Sequence, residues 1–130
     1  MKRLIIILTI FFAVIGVAIF ETVHLNRFYK DFIGHLEYVR VQFEIDPENV
    51  DREECIEAVE KVRTHWEGGR RVTLMFTNNN VVRLLGERVS SLVEQTRINH
   101  ADDAFVTLAI TIDFIRELRR ENGVNVESLI

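Results

Sequence analysis

Cysteine occurs once in this 130-residue chain, at Cys55, and proline once, at Pro47. A lone thiol excludes an internal disulfide and gives neither a zinc site nor a redox pair, so Cys55 reads as a small core residue. Low-complexity tracts and repeats of 20 to 50 residues are also missing, which leaves one compact domain and an appendage as the only organisation this length allows. The four histidines, His24, His35, His65 and His100, include no pair three or four residues apart and no H-E-x-x-H, so no local metal site is readable. Ser90 and Ser91 lack a Gly-x-Ser-x-Gly elbow and a locally placed base. Asp113 and Glu117 have the spacing of two carboxylates on one helical face, but Arg116, Arg119 and Arg120 surround them, which points to a salt-bridged surface rather than acid-base work. No catalytic residue, cofactor site or metal site is expected.

What is present begins at the front. After Met1, Lys2 and Arg3 comes "LIIILTIFFAVIGVAIF", without a charge and with Thr9 as its one polar side chain. A helix over this run is roughly 26 Å long and reaches about 30 Å if it continues through Val23, enough to cross a bilayer. Gly16-Val17-Ala18 offers a small-x-small cleavage site, but the run exceeds a usual signal core and no break follows it, which favours an uncleaved anchor. Residues 1–21 are thus read as a transmembrane anchor that contacts lipid through 4–20. Lys2 and Arg3 place the N-terminus in the cytoplasm and the remainder outside. Fourteen of the 16 basic residues and all 20 acidic ones lie beyond the span, a net of −6. That balance argues against nucleic acid and against an anionic membrane face as partners.

The rest follows alternating spacings of four and three, the rhythm of helices packed along a seam. Leu25, Tyr29, Phe32, Leu36, Val39 and Phe43 form the first seam, continuous with the apolar run. "EIDPENVD" breaks it, and Asp51 with Glu54 has the form of a capping box opening a second helix. That seam reads Cys55, Val59, Val62, Trp66, Gly69, Thr73, Phe76 and passes straight through Gly68-Gly69. "THWEGGRRVTLMFTNNN" is therefore read as helix and turn, not as an anion-binding loop, which would need a strand before its glycines. Gly69 is expected to make room for the indole or a neighbouring helix, and Arg70 and Arg71 to bridge to acidic neighbours. Two glycines cost about 2 kcal/mol in helix propensity, so a kink is conceivable there.

The phase changes over "TNNN", where an asparagine is expected to cap a third helix with seam Val82, Leu85, Val89, Leu92 and Thr96. Asn99 is expected to cap a fourth, with seam Ala101, Phe105, Leu108, Ile112, Ile115 and Leu118, stopped by Asn122-Gly123. The expected fold is all-α: the transmembrane helix followed by an antiparallel up-down four-helix bundle over 22–123, then a C-terminal tail, 124–130. Trp66, Gly69, Phe76, Leu36, Phe105 and Ile112 are its expected structural core. Val124, Val126, Leu129 and Ile130 would place the tail against the bundle, the bilayer or a partner.

The anchor, the single Trp about halfway along, the "VVRLLGERVSSLVEQTRINHADDAFVTLAITIDFI" pair and the "NVESLI" ending resemble a bacterial family of small membrane proteins catalogued as domain of unknown function 4363. The resemblance spans nearly the whole chain. It implies a bacterial cell-envelope location, genes neighbouring a multi-pass membrane protein, and no catalytic residue. This chain has "TNNN" where many members of that pattern carry a His-Glu pair. Two function classes remain: an extracytoplasmic interaction or scaffold protein acting through a membrane-protein partner or as a homo-oligomer, and a ligand-sensing bundle signalling through a partner membrane protein. The first would show exposed apolar residues off the seams, with Phe28, Ile33, Leu74 and Met75 as candidates. The second would show a polar-lined pocket.

Overall fold

A computed structural model describes the backbone of residues 1–76 and 78–129, and the side chains of these except 72, 74–76 and 123–129. Four helices follow one another: α1 (Lys2–Ile45), α2 (Glu53–Phe76), α3 (Asn79–Arg97) and α4 (Ala101–Leu129). No strand occurs among the described residues. Helix α1 runs 44 residues without interruption, roughly 66 Å at 1.5 Å per residue. Its large apolar side chains from Leu4 to Phe20 are all exposed, and no residue of its most apolar stretch is buried. By length and composition this segment suffices to cross a membrane or to act as a signal sequence.

From Leu25 onward α1 joins a core. It packs on α2 and α4, while α3 packs on the same two helices from the other side. Phe28 of α1 meets His65 of α2, Lys61 sits over the Tyr38 ring, and Arg52, just before α2, reaches the Gln42 carbonyl. Along α4, Asn122 donates to the Thr22 carbonyl at 3.0 Å, Arg119 to Asn26 at 3.2 Å and Arg116 to Glu37 at 2.8 Å, while Phe105 packs edge-on to Phe43. Between α3 and α2, Arg97 pairs with Glu60; between α3 and α4, the Thr107 hydroxyl donates to Gln95. In the α1–α2 and α1–α4 pairs, numbers fall on one helix as they rise on the other.

The described side chains of the first three seams lie in the core with Leu108, Ile112 and Ile115 of the fourth, whereas Ala101, Phe105 and Leu118 are only partly buried and off-seam residues such as Val50 and Ala104 join them. Every first-seam residue from Leu25 to Phe43, Cys55 to Trp66 on the second, and Val82 to Thr96 on the third is buried. Leu36 and Ile112 are fully enclosed, and Phe105 packs half-buried against the cluster. The side chain of Phe76 lies outside the described ones. Helix α2 is continuous through Gly68-Gly69. The hydroxyls of Thr73, Thr96 and Thr111, all buried, donate to the carbonyl four residues back, so these polar atoms enter the core satisfied.

The asparagine cap expected on α3 is present, and other local expectations are corrected. Helix α2 starts two residues after Asp51, with the Arg52 carbonyl accepting from the N–H groups of Cys55 and Ile56. The Arg52 guanidinium closes the preceding loop on the Asn49 and Gln42 carbonyls. Asn78 caps α3 by accepting from Asn80 N at 2.8 Å. Asn99 does not cap α4. It stands at φ 56°, the left-handed conformation asparagine tolerates, and closes α3 with bonds from Asn99 N to Thr96 O and from His100 N to Gln95 O. Its side chain accepts from Val50 N at 2.9 Å and donates to Glu48 O at 3.2 Å, joining the two loops at that end. Asn122-Gly123 does not stop α4, which runs on to Leu129, so the backbone of 124–129 is helix rather than a separate tail. The Asn122 side chain is engaged across the interface with α1, where it supports the helix instead of competing with its backbone.

Candidate functional site

Two features meet at Trp66, and the glycines explain both. A Cβ added at Gly69 would lie 1.9 Å from Cε2 of Phe28, so the missing side chain makes room for that ring rather than for the indole. Phe28 is therefore buried, at 8% exposure, not a free apolar residue; Ile33 is likewise packed against the core. Leu74 and Met75, the other two candidates, have side chains outside the described ones. The indole faces the second glycine of interest, Gly86 on α3, where an added Cβ would stand 3.6 Å from Trp66 Nε1. Gly68, beside Gly69, faces open space.

Between α1 and α2 the result is an aromatic junction. The His65 ring stacks on Phe28, with centroids 4.7 Å apart and planes 11° from parallel, and meets Phe32 edge-on. Its Nε2 lies 3.0 Å from the Phe28 carbonyl, which can only accept, so Nε2 carries the proton. His35 packs on His65 with centroids 5.0 Å apart, a pair that spacing along the sequence does not reveal. Burial, then the neighbouring His65, lowers the His35 pKa, against the pull of Asp31. Among the described residues no three His, Cys, Asp or Glu gather closely enough to hold a metal ion.

Between α2 and α3 lies a groove of about 400 Å³ lined by Arg63, Trp66, Glu67 and Arg70 from α2 and by Asn79, Arg83, Gly86 and Ser90 from α3, among others. Arg63, Trp66 and Arg70 are one and two turns apart on the same side of α2; Arg83, Gly86 and Ser90 repeat that spacing on α3. Gly86 opens the groove beside the indole. Arg63 pairs with Glu60 at 3.0 Å. Arg70 and Arg83 have no ion pair among the described residues, and neither has Arg71. The expected bridging of Arg70 and Arg71 to acidic neighbours is thus not what the fold provides: Arg70 borders the groove.

The remaining chemical candidates are scattered. His24 stacks on Phe20, and His100 faces Asp103 at 4.0 Å on an exposed helix start. Glu117 pairs with Arg120, while Arg116 and Arg119 leave their own helix face for Glu37 and Asn26 of α1. Ser91 is exposed and Ser90 edges the groove. Cys55 is buried, and burial pushes its thiol pKa up. No protein-family model, curated protein or solved structure matches the chain.

Proposed function

We propose that this protein is a membrane-anchored, extracytoplasmic helical interaction or scaffold protein of the bacterial cell envelope, acting on a membrane-protein partner or a second copy of itself. The observation that carries the reading is the continuity of α1. Its first half exposes apolar side chains on every face, and its second half supplies Leu25 to Phe43 to the core, with no break between. A helix of that kind ties an apolar anchor rigidly to a folded domain. The opposed numbering of neighbouring helix contacts supports an up-down antiparallel bundle, and Lys2 and Arg3 support a cytoplasmic N-terminus. The likeness to domain of unknown function 4363 belongs to the same proposal.

Exposed apolar residues off the seams supply the interaction half of the reading. Tyr38, Val41 and Ile45 are exposed at spacings of three and four on α1, and Val106 and Ile110 four apart on α4. The test is topology. In a Cys55→Ala background in intact bacterial cells, a membrane-impermeant thiol reagent should label a cysteine replacing Asn79 and not one replacing Lys2. Protection of position 79 with labelling of position 2 overturns the orientation. A mature chain beginning near Ile19 overturns the anchor. The groove between α2 and α3 favours a second reading, a ligand-sensing bundle that signals through a partner membrane protein.

A further inference from the structure

The net charge of −6 beyond the apolar segment conceals a strong polarity. The half of the bundle next to that segment, residues 22–34, 65–88 and 114–122, carries nine Lys and Arg against five Asp and Glu. The far half, residues 35–64 and 89–113, carries five against thirteen. The α2–α3 groove lies toward the basic half, since Trp66 and Gly69 pack beside Phe28 and Phe32, soon after the apolar run ends.

We propose that this groove binds a phosphate group, held by Arg63, Arg70 and Arg83 with the indole N–H of Trp66 at its floor. Three guanidinium groups line the groove against the carboxylate of Glu67, and even with Arg63 paired to Glu60 the lining stays net positive, which suits the anionic oxygens of a phosphate group. Arg70 and Arg83 project without a carboxylate partner among the described residues, so their binding capacity is unspent. Trp66 is 5% exposed and packs in tilted contacts beside Phe28 and Phe32, while its Nε1 has no hydrogen-bond partner among the described residues and faces the opening left by Gly86. Open to the groove and without such a partner, this N–H is free to donate to an acceptor bound there. Asn79, the first residue of α3, adds the positive end of that helix to the same lining. The site is not a phosphate loop: the glycine that matters is Gly86, which keeps the groove open, and Gly68-Gly69 face elsewhere.

This assignment does not rest on the anchor reading. The phosphate has two possible sources, a soluble phosphate ester and a phospholipid headgroup reached from the basic end of the bundle. Trp66, the chain's only tryptophan, reports on the groove directly. The full chain in neutral detergent is titrated with sodium phosphate against sodium chloride at matched ionic strength, and its emission is followed. A saturable change is expected. Arg70→Gln and Arg83→Gln should each weaken it about tenfold, the worth of one charge-assisted hydrogen bond. Gly86→Leu, which fills the groove without altering charge, should abolish it, and Arg71→Gln should leave it intact. Helix content by circular dichroism establishes that each variant is folded. The same measurement in nanodiscs of phosphatidylcholine with and without phosphatidylglycerol separates the sources: an Arg70- and Arg83-dependent change with phosphatidylglycerol identifies the headgroup, and a response to soluble phosphate alone identifies the ester. No saturable response to either, or an equal response in the Arg70→Gln/Arg83→Gln double variant, overturns the proposal.

Discussion

The ring of Phe28 occupies the place that a side chain at residue 69 would take, with Cε2 1.9 Å from the position of an added Cβ. The ring cannot simply swing away, because His65 is stacked on it and Phe32 and Trp66 flank it. Gly69→Ala should therefore destabilise the bundle by about 1–2 kcal/mol, overpacking outweighing the gain in helix propensity. Gly68→Ala, one residue away in open space, should stabilise it by about 0.5–1 kcal/mol. Denaturant unfolding of the full chain in neutral detergent measures both. Equal effects at the two positions would remove Phe28 from the account. In the double variant Phe28→Leu/Gly69→Ala the penalty at 69 should largely disappear.

Trp66 is the largest side chain at this junction, buried against Phe28 and Phe32 and opposite Gly86. Trp66→Ala should cost about 3–5 kcal/mol, as loss of a large buried aromatic does. Arg71→Ala, exposed and outside the groove lining, should stay within about 0.5 kcal/mol. A silent Trp66→Ala in the same unfolding measurement would contradict a packed indole.

The seams were legible because they need only the helical period. Leu25, Tyr29, Phe32, Leu36, Val39 and Phe43 share one face of α1 whatever lies opposite, and all are buried. What depends on the opposite helix was not legible. Phe28 sits one position off its seam and enters the core because residue 69, forty-one positions away, has no side chain. Asn99 and Asn122 carry the marks of helix ends, yet both side chains bond across interfaces, to residues 48 and 50 and to residue 22. The groove had a partial signal: Arg63, Trp66 and Arg70 share one side of α2, and Arg83, Gly86 and Ser90 repeat the spacing on α3. That the two rows face each other is a fact of packing, which one helix period does not carry.

Asn99 offers a separable test of the loop pairing. Asn99→Gly keeps the left-handed conformation and loses the bonds to Val50 and Glu48, whereas Asn99→Ala loses both. The alanine variant should be destabilised by about 2–3 kcal/mol. The glycine variant should be better by about 1 kcal/mol, the cost of the left-handed backbone. Identical unfolding midpoints would mean that the conformation at residue 99 carries no strain.

His35 should make the α1–α2 junction sensitive to acid. Burial, the neighbouring His65 and Lys61 lower its pKa from the ordinary 6.5, and Asp31, one turn earlier on α1, pulls the other way without prevailing. The neutral imidazole is thus the form the folded state prefers, while the unfolded chain takes up its proton near the ordinary value. The stability tied to His35 is fully present above about pH 6.5 and is lost as the pH falls from there toward the lowered folded value. Unfolding midpoints at pH 7.5 and 5.5 should therefore drop further in the native chain than in His35→Gln, which has no proton to gain. A drop of equal size in the two would show that protonation of His35 is not linked to unfolding, and that its packing on His65 accommodates the charged ring as readily as the neutral one.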